Sequence, residues 1–222
     1  MATELATQNI VAVNGPPRMT YEEYLALPNE GRLIEWVNGE VIYNMPPLTI
    51  HQDIVGYLFR LLGNFVEFMN LGRLYVAPFE MKCRPGGSSR EPDVLFVSLA
   101  NLNRIGDKRL DGPADWIVEV VSDDSVGRDF DEKFIEYQEC GVQEYWIVDP
   151  RPRRKRALFY QRGADGLFEA AKVENGIYRS KAIPAFWLKV AWLWDMPDAQ
   201  LTFAEIAGFS DEMVRALKER KA

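Results

Sequence analysis

Histidine and cysteine are nearly missing from this chain: 222 residues hold one histidine, His51, and two cysteines, Cys83 and Cys140. That argues against a zinc site of clustered histidines or paired cysteines, and against a disulfide framework, which needs more cysteines at regular spacing. Each thiol is expected to be reduced and partly buried. Long apolar runs are missing too. Nothing approaches the roughly 18 residues that span a bilayer, and the opening MATELATQNIVAVNG lacks the basic start and apolar stretch of a secretory leader. The expectation is a cytoplasmic protein with no membrane partner. Positive charge is also in short supply, with 26 Lys and Arg against 33 Asp and Glu, a net −7 that opposes unspecific attraction to phosphate backbones. There is no internal repeat and no low-complexity tract.

What is present is a chain 47% hydrophobic, enough for a substantial core, and one α/β domain with two short tails is the expected organisation. A capping box at Thr20 and Glu23 opens a short helix of about 7 residues. RLIEWVNGEVIYN reads as a hairpin around Asn38-Gly39. From Thr49 to about Asn70, Ile50, Ile54, Leu58, Leu61, Leu62, Phe65 and Phe68 recur at helical spacing. LYVAPFEMKC, PDVLFVS and DWIVEVVS are three strand candidates. A helix from about Gly127 to Cys140, with Phe130, Phe134 and Tyr137 on one face and Gly141 as terminator, leads into the strand EYWIVDP. RALFYQR, LFEAAKV and AFWLKVAWLW read as further antiparallel strands, and Thr202 to Ala222 as one or two surface helices.

Two carboxylates stand out. Glu119 lies between Ile117 and Val121 on one face of an apolar strand expected to be covered on both sides, where an unanswered charge costs several kcal/mol; it must be protonated, ion-paired or metal-bound. Asp93 follows Pro92 at a strand start, a place where sites collect and equally an ordinary turn. Lys133 and Tyr137 share a helix face, and Lys133 has a plain alternative as an exposed ion pair with Asp129, worth about 0.3–0.5 kcal/mol. Glu35, on the first hairpin arm, reads just as well as a surface charge. Arg151, Arg153, Arg154, Lys155 and Arg156 form a basic cluster that could touch a phosphate backbone or simply be a solvated turn.

Taken in order, Pro92-Asp93, then Glu119-Val120-Val121, then Lys133 in the next helix resemble the PD-(D/E)XK nuclease superfamily. The motif's last lysine is replaced by Val121, and the resemblance has Lys133 supplying it from the helix. More closely, the chain resembles the Uma-two family, a widespread bacterial group of candidate endonucleases once called a domain of unknown function. The likeness runs from about Met19 to Trp194, on LIEWVNGEVIYNMPP with His51-Gln52, EPDVLFVS, WIVEVVSDDS, Asp129 with Lys133 and Tyr137, and GVQEYWIVDP.

The resemblance implies a restriction-endonuclease-like mixed central sheet flanked by helices, with additional antiparallel strands toward the C-terminus. The nuclease-like domain would span 19–196, between a flexible tail at 1–18 and a helical tail at 197–222. It implies an active site of Glu35, Asp93, Glu119 and Lys133, with His51, Gln52 and Tyr137 as neighbours. Asp93 and Glu119 would hold Mg²⁺ or Mn²⁺, since hard cations take oxygen donors. The implied activity is metal-dependent hydrolysis of nucleic-acid phosphodiester bonds, DNA foremost, and a homodimer would suit a duplex that needs two cuts. Two alternatives remain at this point: a scaffold that keeps the fold without catalysis, and a metal-free glycosidase using the same carboxylates.

Overall fold

A computed structural model describes residues 16–28 and 34–220; most of the expected tail 1–18, the segment 29–33 that includes the start of the hairpin run, and the last two residues lie outside the described residues. The elements run α1 (Tyr21–Leu25), β1 (Ile34–Val37), β2 (Glu40–Tyr43), α2 (Thr49–Phe68), β3 (Gly72–Val76), β4 (Glu80–Lys82), β5 (Ser89–Arg90), β6 (Val94–Ser98), β7 (Arg109–Asp111) and β8 (Trp116–Val120). A π-helical turn at Arg128–Glu132 then leads into α3 (Lys133–Cys140), followed by β9 (Glu144–Asp149), β10 (Arg156–Arg162), β11 (Phe168–Ala170), β12 (Val173–Glu174), β13 (Ile177–Arg179), β14 (Trp187–Lys189), α4 (Trp192–Asp195), α5 (Ala199–Ile206) and α6 (Asp211–Glu219).

A six-stranded mixed sheet in the order β11-β10-β9-β8-β6-β3 forms the centre. Only β8 and β9 in it are parallel, and α3 makes the crossover between them. Even-numbered residues of the central strands, among them Val94, Phe96, Trp116, Val118, Trp146 and Val148, pack against α2. Odd-numbered ones, Leu95, Val97, Ile117, Val121, Tyr145 and Ile147, pack against Tyr137 of α3 and against Met81 and Leu110 of a five-stranded sheet ordered β2-β1-β5-β4-β7. The strands around Glu119 are thus covered on both faces, as their apolar runs require. A three-stranded sheet, β12-β13-β14, completes the C-terminal region.

The hairpin turn has Asn38 at φ 50 and Gly39 at φ 89, the positive values that Asn-Gly adopts at least cost. The Thr20 capping box is present on a helix of 5 residues. Several expected runs are divided instead. LYVAPFEMKC breaks at Pro78 into β3 and β4, which belong to different sheets, because proline offers no N–H to a continuing ladder. LFEAAKV splits into β11 and β12, also in different sheets, and AFWLKVAWLW gives the short strand β14 and then the helical turn α4. The C-terminal segment makes two helices, of which α5 buries Thr202, Ala204 and Ile206 while Phe203 meets Phe68 of α2 edge-on at 5.4 Å.

The cysteine expectation is overturned. Cys83 and Cys140 are bonded to each other, with their Cα atoms 5.6 Å apart, tying the segment after β4 to the end of α3. The two lie 57 positions apart, and only the packing of α3 beside β4 and β5 brings them together. Among the described residues, no helix is long and apolar enough to cross a membrane.

Candidate active site

Glu119 is the fourth residue of β8 and points to the α3 side of the sheet. Asp93, immediately before β6, lies beside it, and its Oδ2 accepts a hydrogen bond of 2.7 Å from the Val120 backbone N–H, which fixes the carboxylate against the end of β8. From the five-stranded sheet, Glu35 of β1 enters fully buried; its Oε1 accepts from the Glu91 N–H at 3.1 Å and its Oε2 from Arg90 at 3.3 Å. Arg90, itself buried, also pairs with Glu136 of α3 at 2.8 Å.

Lys133 stands at the start of α3 and joins these parts. Its Nζ lies 3.0 Å from Glu119 Oε1, 3.3 Å from Asp129 Oδ1 and 3.6 Å from Glu35 Oε1. The Tyr137 hydroxyl, one turn further on, donates to Glu119 Oε1 at 2.7 Å. The Lys133–Asp129 pair, which the plain alternative made an exposed one, is buried, with 6% and 1% of the residues exposed. A π-helical turn precedes α3; Asp129, Lys133 and Tyr137, four apart, are the fully buried side chains, while Phe130 and Phe134 pack half-buried against the same core.

Electrostatically the cluster is under load. Burial pushes the Glu119 carboxyl up to about 8 against the pull of Lys133, with Asp129, Asp93 and Glu35 adding to the rise. Burial opposes the Lys133 ammonium, but Glu119, Glu35 and Asp129 more than offset it and hold its proton well above the usual lysine range. Burial also opposes a charged Glu35, yet Lys133 and Arg90 keep it ionised below its ordinary value. Asp129 is raised, chiefly by burial, and Glu91 is pushed up to about 7 by burial and by Glu35. Lys133 thus stays charged, and Glu119 is a group that takes up a proton near neutrality.

An open pocket of about 560 Å³ reaches Asp93, Glu119, Asp129, Lys133, His51 and Gln52. Glu35 and Tyr137 sit behind that wall. His51 Nε2 is 3.2 Å from Asp93 Oδ2, and this partner raises the imidazole against the lowering effect of burial. Of the basic cluster, Arg151 pairs with Asp149 at 2.8 Å and reaches toward Asp123 at 3.8 Å, Arg156 lies over the Phe130 ring and Lys155 over the Trp194 ring, while Arg153 and Arg154 are exposed. This turn follows β9, the parallel neighbour of β8, and so stands on the same side of the sheet as the Ser122–Ser125 segment that borders the pocket.

Arg90, Glu91 and Asp129 belong to the cluster, and the sequence reading left them off the candidate site. Arg90 and Glu91 flank Pro92-Asp93 on its N-terminal side, and Asp129 precedes Lys133 by four, so proximity to the motif was the available signal.

A hard divalent cation fits the donors in kind. Asp93, Glu119 and Asp129 present carboxylate oxygen to one pocket, and Asp129 Oδ1 is buried with no hydrogen bond, at ion-pair distance from Lys133 but out of alignment with it. Among the described residues, however, no three His, Cys, Asp or Glu side chains are already gathered around one point, and the ammonium of Lys133 stands among the carboxylates instead.

A family model described as "Putative restriction endonuclease", that of Uma2, matches residues 21–191. Among solved structures, that of "a putative nuclease belonging to DUF820" from Anabaena variabilis superposes with a TM-score of 0.65 over 80% of this chain and 98% of its own, at 18% identity, a likeness that speaks for the fold alone. No curated protein gives a match. The matched span takes in β1, β6, β8 and α3, the elements that carry Glu35, Asp93, Glu119 and Lys133, and on it the chain belongs to the Uma2 restriction-endonuclease family.

Proposed function

We propose that the chain is a metal-dependent endonuclease that hydrolyses phosphodiester bonds of nucleic acid, DNA foremost, in the pocket floored by Asp93 and Glu119. The observation that carries the reading is Lys133: with valine at position 121, its ammonium still comes to 3.0 Å of Glu119 Oε1 from the neighbouring helix. Asp93 and Glu119 are the cation ligands in this reading, and a bound Mg²⁺ or Mn²⁺ supplies charge neutralisation at the phosphate and a more acidic bound water. In hydrolysis the water oxygen bonds to phosphorus, the bond from phosphorus to the leaving sugar oxygen breaks, and that oxygen takes up a proton.

The chain's own residues supply the order. Lys133 faces the negative charge that grows on the phosphate, held in place by Glu35 and Asp129. Tyr137 fixes the Glu119 carboxylate, while the Val120 N–H and His51 fix that of Asp93. Arg153, Arg154 and Lys155 are the groups best placed to meet a phosphate backbone. Incubation of the full chain with plasmid and single-stranded DNA in millimolar Mg²⁺ or Mn²⁺ is expected to show cleavage that Asp93→Ala abolishes; cleavage persisting in that variant overturns the site.

A second reading, a scaffold without catalysis, is favoured by the place Lys133 takes among the carboxylates and by the net −7. Calorimetric titration separates the two, because the scaffold binds neither Mg²⁺ nor Mn²⁺ at millimolar concentration.

A further inference from the structure

We infer that the pocket takes a nucleotide freed from base pairing, in a single strand or at a frayed end, in preference to continuous duplex; the inference rests on the nuclease reading and names its substrate class. Depth is the first ground. Asp93, Glu119 and Asp129 are only 8%, 3% and 1% exposed, at the bottom of a pocket and not on a ridge or open face. A phosphate in a duplex is fixed on a stiff rod, whose persistence length is about 50 nm, and follows the contour of a recess less readily than one in a flexible strand. A phosphate in an unpaired strand turns freely and can be drawn in together with its base.

The rim is the second ground. Where the chain passes from β2 to α2, Tyr43, Met45, Pro46 and Pro47 line the mouth, and Leu48 follows them. Tyr43, Met45 and Leu48 are 47%, 68% and 62% exposed, an apolar surface set directly against an acidic floor. Bases offer flat faces to such a surface only when they are unstacked, and stacking on aromatic or apolar side chains is how unpaired strands are held without regard to sequence. In a duplex those faces are spent on neighbouring bases.

Charge is the third ground. The pocket wall carries Glu91, Asp93, Glu119, Asp124 and Asp129 against one lysine, Lys133. Of the cations on neighbouring segments, Arg128 and Arg151 are paired with Asp124 and Asp149, which leaves Arg153, Arg154 and Lys155 on the turn after β9. Duplex DNA brings one negative charge per about 1.7 Å of axis from its two strands, about twice what a single strand brings, and needs several free cationic contacts to be held. A wall of this sign tolerates the lighter charge of one strand better. A substrate of one strand also needs one cut, so the homodimer that a duplex would call for is not required.

The test uses the full chain and three end-labelled oligonucleotides of one sequence in Mn²⁺: single strand, blunt duplex, and duplex with a 3′ overhang. The expected result is cleavage of the single strand and of the overhang at least tenfold faster than of the duplex interior. The double variant Tyr43→Ser, Met45→Ser, on exposed positions that leave the core intact, is expected to raise KM for the single strand roughly tenfold with kcat little changed. Cleavage of the duplex interior as fast as the single strand overturns this inference and leaves the nuclease reading standing, as does an unaltered KM in the rim variant. Cleavage of none of the three overturns the nuclease reading itself and this inference with it.

Discussion

Glu119 and Glu144 are both buried glutamates, one on each of the two parallel strands β8 and β9, and their surroundings differ in kind. Glu144 is answered by neutral donors. Its Oε1 accepts from the Trp146 indole at 2.8 Å, and its Oε2 from the Lys181 N–H at 2.7 Å, the Ala182 N–H at 3.0 Å and the Ser180 hydroxyl at 3.0 Å. The carboxylate pins the 180–182 segment to the edge of β9. Glu119 is answered by one ammonium, which it shares with Glu35 and Asp129, and by one tyrosine. Burial raises both carboxyls, but only Glu119 also has a cluster of like charges around it and a pocket in front of it. Burial alone therefore does not mark a functional acid. What marks it is a charge whose neutralisation is incomplete and reachable from solvent.

Three substitutions sharpen that contrast. Lys133→Met has the largest expected effect: it leaves Glu119, Asp129 and Glu35 without their shared cation, and urea unfolding at neutral pH should show a loss of about 3–5 kcal/mol. A loss below about 1 kcal/mol would mean that Asp129 and Glu35, like the raised Glu119, are neutral at this pH, and that the contrast is false. Next, Glu144→Ala orphans two backbone N–H groups and an indole and should cost about 3 kcal/mol, with Mn²⁺ affinity unchanged. A parallel loss of Mn²⁺ binding would make Glu144 part of the site after all.

The smallest effect belongs to Glu119→Gln. With its pKa raised to about 8, the folded carboxyl holds a proton that the unfolded chain has released above about 4.5, so stability from this group falls as pH rises between those values. The slope is at most about 1.4 kcal/mol per pH unit, and the amide should remove it while changing stability at pH 5 by less than about 1 kcal/mol and still abolishing cation binding. Unfolding curves at several pH values check the sign: stability that rises from pH 5 to 8 through Glu119 would show that its carboxyl is held charged.

Glu119 was legible in the sequence because its bland explanation, an exposed acid on a one-sided strand, fits poorly with Ile117 and Val121 on the same face. Its strand is buried on both faces as that composition demands. Glu35 was not legible, since a glutamate on a short hairpin arm looks like a surface charge until β5 supplies Arg90 beside it. Lys133 had a plain alternative as an exposed partner of Asp129, because the sequence shows the i, i+4 spacing but not that β1 and β8 bring Glu35 and Glu119 against that face of the helix. The Cys83–Cys140 bond was hidden by separation along the chain, and the division of LYVAPFEMKC at Pro78 was hidden by an apolar pattern that runs through the break.

By itself the sequence determined the local devices: the Asn38-Gly39 turn, the Thr20 cap, the long α2, the doubly buried centre of the sheet and the misfit acid within it. These depend on residues near one another in the chain, whose conformational preferences and apolar spacing act before any distant contact forms. Only the tertiary structure decided which charges meet. Glu35, Arg90, Asp93, Glu119 and Lys133 come from different elements, and whether a buried carboxylate becomes a staple like Glu144 or a loaded site like Glu119 depends on which donors the packing brings within about 3 Å of it.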